Sequence, residues 1–298
     1  MSFHAPSLTI RITRPLAALL LAAACTPTTV PGAVTPAASP AATVASPAAA
    51  PVSPVAAVPA GSVSSPAVSA ENGAKGVAQW SYSGSTGAEA WGTLDASYAT
   101  CATGKAQTPI DITGTVGKDL PDLAFAYQPG ISQLVNNGHT VQANVPAGSV
   151  LRTGTATYTL LQYHFHAPSE HTINGQSFPL EMHFVHRDEA GRLGVVGVIY
   201  KVGATNPAYD TLVGNLPPAT DGKADLPSLN PMTLLPTQFG NYQYQGSLTT
   251  PPCSEGVQWM LLRTPVELSQ GQIGAFTARY ANNARPIQPQ GTRIVQQK

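Results

Sequence analysis

Gln162-Tyr163-His164-Phe165-His166, with Glu181-Met182-His183 further along the chain, is the stretch that decides how this sequence folds. Strand side chains alternate with period two, so His164 and His166 project from one face of a β-strand. Glu181, His183 and Val185 share a face of a second strand in the same way. If those strands pair, three imidazoles converge. Three histidines leave a tetrahedral Zn2+ one free position, which is the arrangement of a catalytic centre and not of a closed structural one. Any one of these histidines alone reads as an ordinary core residue; the set, with its carboxylates, argues for a metal site. Metal-binding histidines donate their second N–H to an acceptor that fixes the ring. Glu181 suits that role for His183, and Gln162 suits it for His164.

Working outward, short apolar runs at 134–135, 140–145, 157–166, 180–186, 194–201 and 257–263 read as strands. Asn136-Asn137-Gly138, Asn174-Gly175 and Glu189-Ala190-Gly191 supply the turns between them. Helical signal is sparse. Residues 269–280 are the best candidate, with Ser269 placed to cap the N-terminus. The expected fold is mainly β with some α: one domain around a large, mostly antiparallel twisted sheet with short peripheral helices. It should occupy residues 79–298.

The residues before it have another character. Arg11 and Arg14 precede an apolar run from Leu16 to Ala24, too short to span a bilayer as a helix. Residues 1–25 therefore read as an export signal. Cys25, directly after Ala22-Ala23-Ala24, is either the lipidated first residue of a lipoprotein or the neighbour of an ordinary cleavage site. Residues 26–78 are rich in Ala, Pro, Val and Ser, and no charged residue lies between Pro15 and Ala70. That composition builds no packed core and reads as a linker. Formal charge is zero, from 15 basic and 15 acidic residues, with no basic block, so nucleic acid is not an expected partner. The three cysteines are Cys25, Cys101 and Cys253. With Cys25 in the leader, the other two are either a disulfide, as an oxidising compartment favours, or two buried thiols.

One further stretch, Gly246-Ser247-Leu248-Thr249-Thr250-Pro251-Pro252-Cys253, is by composition a stiff loop. Taken in order with Trp80-Ser81-Tyr82, Asn136-Asn137-Gly138-His139, His164-Phe165-His166, Ser169-Glu170-His171, Glu181-Met182-His183 and Asn283-Ala284-Arg285-Pro286, it resembles an α-class carbonic anhydrase of the exported bacterial kind. The resemblance runs from about Trp80 to Arg293.

The resemblance implies reversible hydration of CO2 to bicarbonate and a proton, by attack of zinc-bound hydroxide. It assigns His164, His166 and His183 to the zinc, Thr249 to the hydroxide, and Glu170 to the threonine. A carboxylate only accepts, so a Thr249 hydroxyl that donates to Glu170 can only accept from the bound group. His139 corresponds to the proton shuttle, an imidazole that titrates near neutrality. Val185, Val195, Leu248, Thr250, Val257 and Trp259 correspond to the substrate pocket, and Tyr82, Gln162 and Glu181 to its supporting residues. The same resemblance pairs Cys101 with Cys253. His171 is expected to brace the site from behind, His186 to be structural, and His4 to belong to the leader. The expected partners are CO2 and bicarbonate, with membrane anchoring through Cys25 if it is lipidated, and a monomer or homodimer. The expected location is the periplasm or cell surface. Two other readings share these residues: a zinc esterase, and a catalytically silent surface protein on the same fold. The second should lack a zinc ligand, and no ligand is missing here.

Overall fold

In the computed structural model, residues 78–218 and 220–298 are described. The expected export signal, with His4 and Cys25, and the expected linker up to residue 77 lie outside them. Eight strands frame the site: β1 Gly130–Asn136, β2 Val141–Asn144, β3 Ala156–His166, β4 Leu180–Arg187, β5 Leu193–Val202, β6 Lys223–Leu229, β7 Asn241–Ser247 and β8 Glu255–Leu262. They belong to a thirteen-stranded sheet ordered β6-β1-β2-β3-β4-β5-β8-β7, continued by Gln296–Gln297 and Val116–Gly117. Most pairings are antiparallel, as expected. The join of β5 to β8 is parallel, pairing Val195 with Trp259, so the sheet is mixed at its centre.

Burial explains the composition of the middle strands. β4 is buried at every position but Arg187, and β5 is buried from Gly194 to Tyr200. Such strands read as nearly continuous apolar runs because both faces are covered. On one face Leu180, Met182, Phe184, Val196, Val198, Tyr200, Met260 and Leu262 join the main hydrophobic core. On the other, Val185, Val195, Ile199, Val257, Trp259 and Leu261 form a second, smaller cluster. The site lies on that second face.

β3 needs an irregularity to take part. Tyr158 and Leu160 enter the main core, and so do Tyr163 and Phe165, although the two pairs differ in parity. A register shift between Leu160 and Gln162, opposite β4, inserts the extra residue. Such a bulge re-aims every side chain beyond it. It turns Gln162, His164 and His166 to the face that also carries Glu181, His183 and Val185.

Each expected strand is present, lengthened or shortened by a few residues at its ends. β6 and β7 have no counterpart among the strands expected from the sequence. Pro227 lies on β6, which pairs only with β1 at the sheet margin, and the register shifts between Leu226 and Leu229. Proline is tolerated there and excluded from central strands. β7 carries Gln243, Gln245 and Asn241 beside its tyrosines, a polar content that hides the strand. The helix spans Gln270–Thr277, three residues shorter at its end than expected. Ser269 caps it through a reciprocal box with Gln272. The chain then leaves the helix, and Asn282 takes a left-handed φ of 62°.

Candidate active site

The register of β3 and β4 sets His164 opposite His183 and His166 opposite Glu181. The three imidazole rings lie with centroids 5.0 Å (His164–His166), 5.2 Å (His164–His183) and 4.6 Å (His166–His183) apart. One nitrogen from each falls within 4.8 Å of the others.

Which nitrogens face inward follows from the partners of the others. His166 Nδ1 is 2.8 Å from the backbone carbonyl of Asn283, which only accepts, so Nδ1 carries the proton. Its Nε2 is then a bare lone pair, buried and without a hydrogen-bond partner among the described residues. His164 Nδ1 lies 2.9 Å from Gln162 Oε1, which leaves its Nε2 as the ligand atom. His183 is turned the other way: Nε2 donates to Glu181 Oε1 at 2.9 Å and Nδ1 points inward. Desolvation by burial, then repulsion from the other histidines, holds His164 well below the usual imidazole value. Burial also lowers His166, against the pull of Glu170. Both are neutral at pH 7, as metal ligands must be.

Glu181 does more than expected. Its Oε1 also accepts from His171 Nδ1 at 2.7 Å, and its Oε2 accepts the His171 backbone N–H at 2.8 Å. His171 Nε2 lies 2.6 Å from the Tyr244 hydroxyl, which reaches Thr108 Oγ1 at 3.3 Å. Burial alone would push Glu181 up, but His171 and His183 override it and hold the carboxyl well below its ordinary range. His171, Glu181 and His183 also sit close enough to suggest a second metal group, yet they are hydrogen-bonded to one another. They brace the first group.

The histidines open onto a cavity of about 160 Å³. Val185, Val195, Leu248, Thr249, Thr250 and Trp259 line it with Tyr82, Gln162 and His139. Val257 does not line it. It packs beside Val185 and Val195 in the smaller cluster, and shares a strand face with Trp259, whose larger ring reaches the wall in its place. Trp80, Asn137, Thr140, Gln142, Pro251 and Pro252 also line the cavity, and the sequence alone does not single them out for it.

Glu170 is fully buried behind the ligands. Its Oε1 accepts the Arg285 backbone N–H at 2.9 Å. Its Oε2 has no hydrogen-bond partner among the described residues and lies 3.5 Å from His166 Nε2 and 3.9 Å from His183 Nδ1. The structure does not draw the expected bond from Thr249 to this oxygen. His139 stacks flat on Trp80, with ring centroids 3.7 Å apart and planes 7° apart. Burial lowers its pKa to about 4, and not to the neutral range expected of a shuttle. The Cys101–Cys253 disulfide is present, with Cα atoms 5.0 Å apart, and Cys253 N–H donates to Thr250 O at 2.8 Å. His186 faces away from the site, between Tyr127 OH at 2.6 Å and Gly194 O at 3.1 Å. Two supporting residues are not apparent from sequence: Asn283, which fixes His166, and Arg285, which holds Glu170. Both lie in the Asn283-Ala284-Arg285-Pro286 motif, whose roles spacing alone does not reveal.

Three imidazoles on adjacent strands, each ring locked by an acceptor and facing a mostly apolar cavity, form a donor set that could hold a metal ion with a position left open. Comparison with known proteins narrows the class. Residues 86–298 match the family described as eukaryotic-type carbonic anhydrase. The chain is 44% identical over 219 residues to a carbonic anhydrase of Neisseria gonorrhoeae, covering 72% of this chain and 86% of that one. The α-carbonic anhydrase of Thermovibrio ammonificans, solved with the inhibitor sulfanilamide, superposes with a TM-score of 0.72 at 42% identity, over 74% of this chain and 99% of that one. The α-carbonic anhydrase of Photobacterium profundum gives 0.70 at 43%, over 73% and 100%. The chain belongs to the α-carbonic anhydrase family.

Proposed function

We propose that this enzyme interconverts CO2 and bicarbonate with one zinc held by His164 Nε2, His166 Nε2 and His183 Nδ1. The observation that carries the reading is the buried, partnerless Nε2 of His166 beside two other inward-facing nitrogens. When bound there, zinc supplies a Lewis acid that draws the pKa of a coordinated water towards neutrality, as is established for carbonic anhydrases in general.

The chain's own residues supply the rest. Val185, Val195, Leu248 and Trp259 offer an apolar wall to a small, linear, uncharged substrate, and among the described residues no Lys, Arg, Asp or Glu lines the cavity. Glu170 Oε2 is the acceptor available to a Thr249 hydroxyl, because Oε1 is taken by Arg285. A threonine that donates there accepts only from a protonated nucleophile and orients its lone pair on the substrate. Glu181 and Gln162 fix the rings of His183 and His164 so that the other nitrogen of each faces the site. His139 receives the released proton, which requires its ring to leave the Trp80 stack, since a pKa of about 4 accepts little at pH 7.

The reading extends to the compartment. The disulfide, the signal-like residues 1–25 and the linker-like residues 26–78 support an exported enzyme in the periplasm or at the cell surface, tethered if Cys25 carries lipid. Stopped-flow CO2 hydration by the wild type and by His166→Ala tests the reaction. The variant should lose activity and zinc together, and a variant with normal hydration would remove His166 from the ligand set.

A further inference from the structure

Arg285 is only 3% exposed, and its guanidinium binds three acceptors that carry no charge. Nη1 donates to Gln107 Oε1 at 2.9 Å and to Thr108 O at 2.8 Å, and Nη2 donates to Cys101 O at 3.0 Å. The cation also stands 5.7 Å over the Trp91 ring. No carboxylate pairs directly with the head group, and the Glu170 charge only partly offsets its burial, so keeping the cation there is costly and what it holds has to matter.

Its partners lead to both ends of the loop that carries Thr249. At the near end, Thr108 N–H donates to Ser247 Oγ at 2.9 Å, Ser247 N–H donates back to Thr108 Oγ1 at 3.0 Å, and Ser247 Oγ donates to Leu248 O at 2.8 Å. At the far end, Gln107 Nε2 donates to Cys253 O at 3.1 Å, and Cys253 N–H donates to Thr250 O. Meanwhile the backbone N–H of the same arginine holds Glu170 Oε1.

We propose that Arg285 is a positioning residue that sets Thr249 against Glu170, its backbone fixing the carboxylate and its guanidinium fixing both ends of the threonine loop. The proposal rests on the carbonic anhydrase reading and adds a residue that touches neither substrate nor metal. The planar fork is what the task needs, because a lysine ammonium cannot meet three acceptors at these fixed angles.

The test is a double-mutant cycle on the zinc-loaded enzyme, with Arg285→Met made in the wild type and in Thr249→Ala. If Arg285 acts through Thr249, it lowers kcat/KM about 10- to 100-fold in the wild type, the scale of a misplaced catalytic group, and less than about twofold in Thr249→Ala. Zinc stoichiometry stays at one per chain, and the melting temperature falls equally in both backgrounds. Equal losses of kcat/KM in the two backgrounds, or no loss in the wild type, would overturn the proposal. Should Arg285→Met fail to show a cooperative unfolding transition, Gln107→Leu cuts the same link at one acceptor, and its cycle decides by the same criterion. A wild type without CO2 hydration would overturn the underlying reading instead.

Discussion

His164 and His183 stand directly opposite one another on β3 and β4, so backbone pairing alone brings two of the three converging histidines together. Side-chain direction in a sheet is set by parity, and a one-residue slip of β4 would turn Met182 and Phe184 to the site face in place of Glu181 and His183. The histidine cluster and the strand register are therefore one structural fact, and the bulge in β3 is part of both. Its consequences can be measured.

Gly197 lies opposite His183 on β5. A Cβ there would fall 2.6 Å from Leu261 Cδ1 and 3.2 Å from Glu181 Oε1. The leucine tip can shift, but Glu181 cannot move without releasing His183 or His171. Gly197→Ala should weaken zinc binding about tenfold, the lower end of what lost ligand support costs. Competition with a chelator reads this directly, and unchanged affinity would show that Glu181 has room to spare.

His139→Ala should slow turnover chiefly in dilute buffer, by about tenfold or more, with free imidazole restoring the rate. Stopped-flow measurements across a buffer series separate proton export from hydration. A rate indifferent to both the mutation and the buffer would assign the shuttle to another group.

Acid should weaken the fold in part through His186, whose burial lowers its pKa from 6.5 to about 4. Because the folded value lies below the unfolded one, the stabilisation is full above about pH 6.5 and is lost as pH falls towards 4, where only the unfolded chain takes the proton. His186→Gln should flatten the dependence of unfolding free energy on pH between about 7 and 4.5. A slope as steep as in the wild type would place the acid sensitivity elsewhere.

The Cys101–Cys253 bridge spans 152 residues of sequence. On the chain-entropy account its loss releases about 5 kcal/mol of constraint on the unfolded state. Cys101→Ser should lower the urea midpoint accordingly, and an unmoved midpoint would mean that the reduced chain is already restrained.

Much of the site is legible in the residues themselves. The i, i+2 pair His164 and His166 and the run Glu181, His183, Val185 encode their faces by parity alone. Gln162 and Glu181 follow as acceptors from the chemistry of metal-bound imidazoles. Other roles are hidden because they depend on distance in space. Asn283 and Arg285 reach His166 and Glu170 across more than a hundred residues. Val257 stops short of the cavity because a neighbouring indole fills the wall. Burial holds the pKa of His139 to about 4, and no local pattern announces that. β6 and β7 escape notice because a proline at an edge and a polar strand both defeat periodicity.

The central claim is that three imidazole nitrogens from β3 and β4 share one zinc. X-ray absorption at the zinc edge, with metal content determined on the same purified protein, tests it most directly. The account predicts one zinc per chain with three imidazole nitrogens and no sulfur, and the signal gone in His183→Ala. A stoichiometry near zero, or a zinc with fewer than three imidazoles, would contradict it.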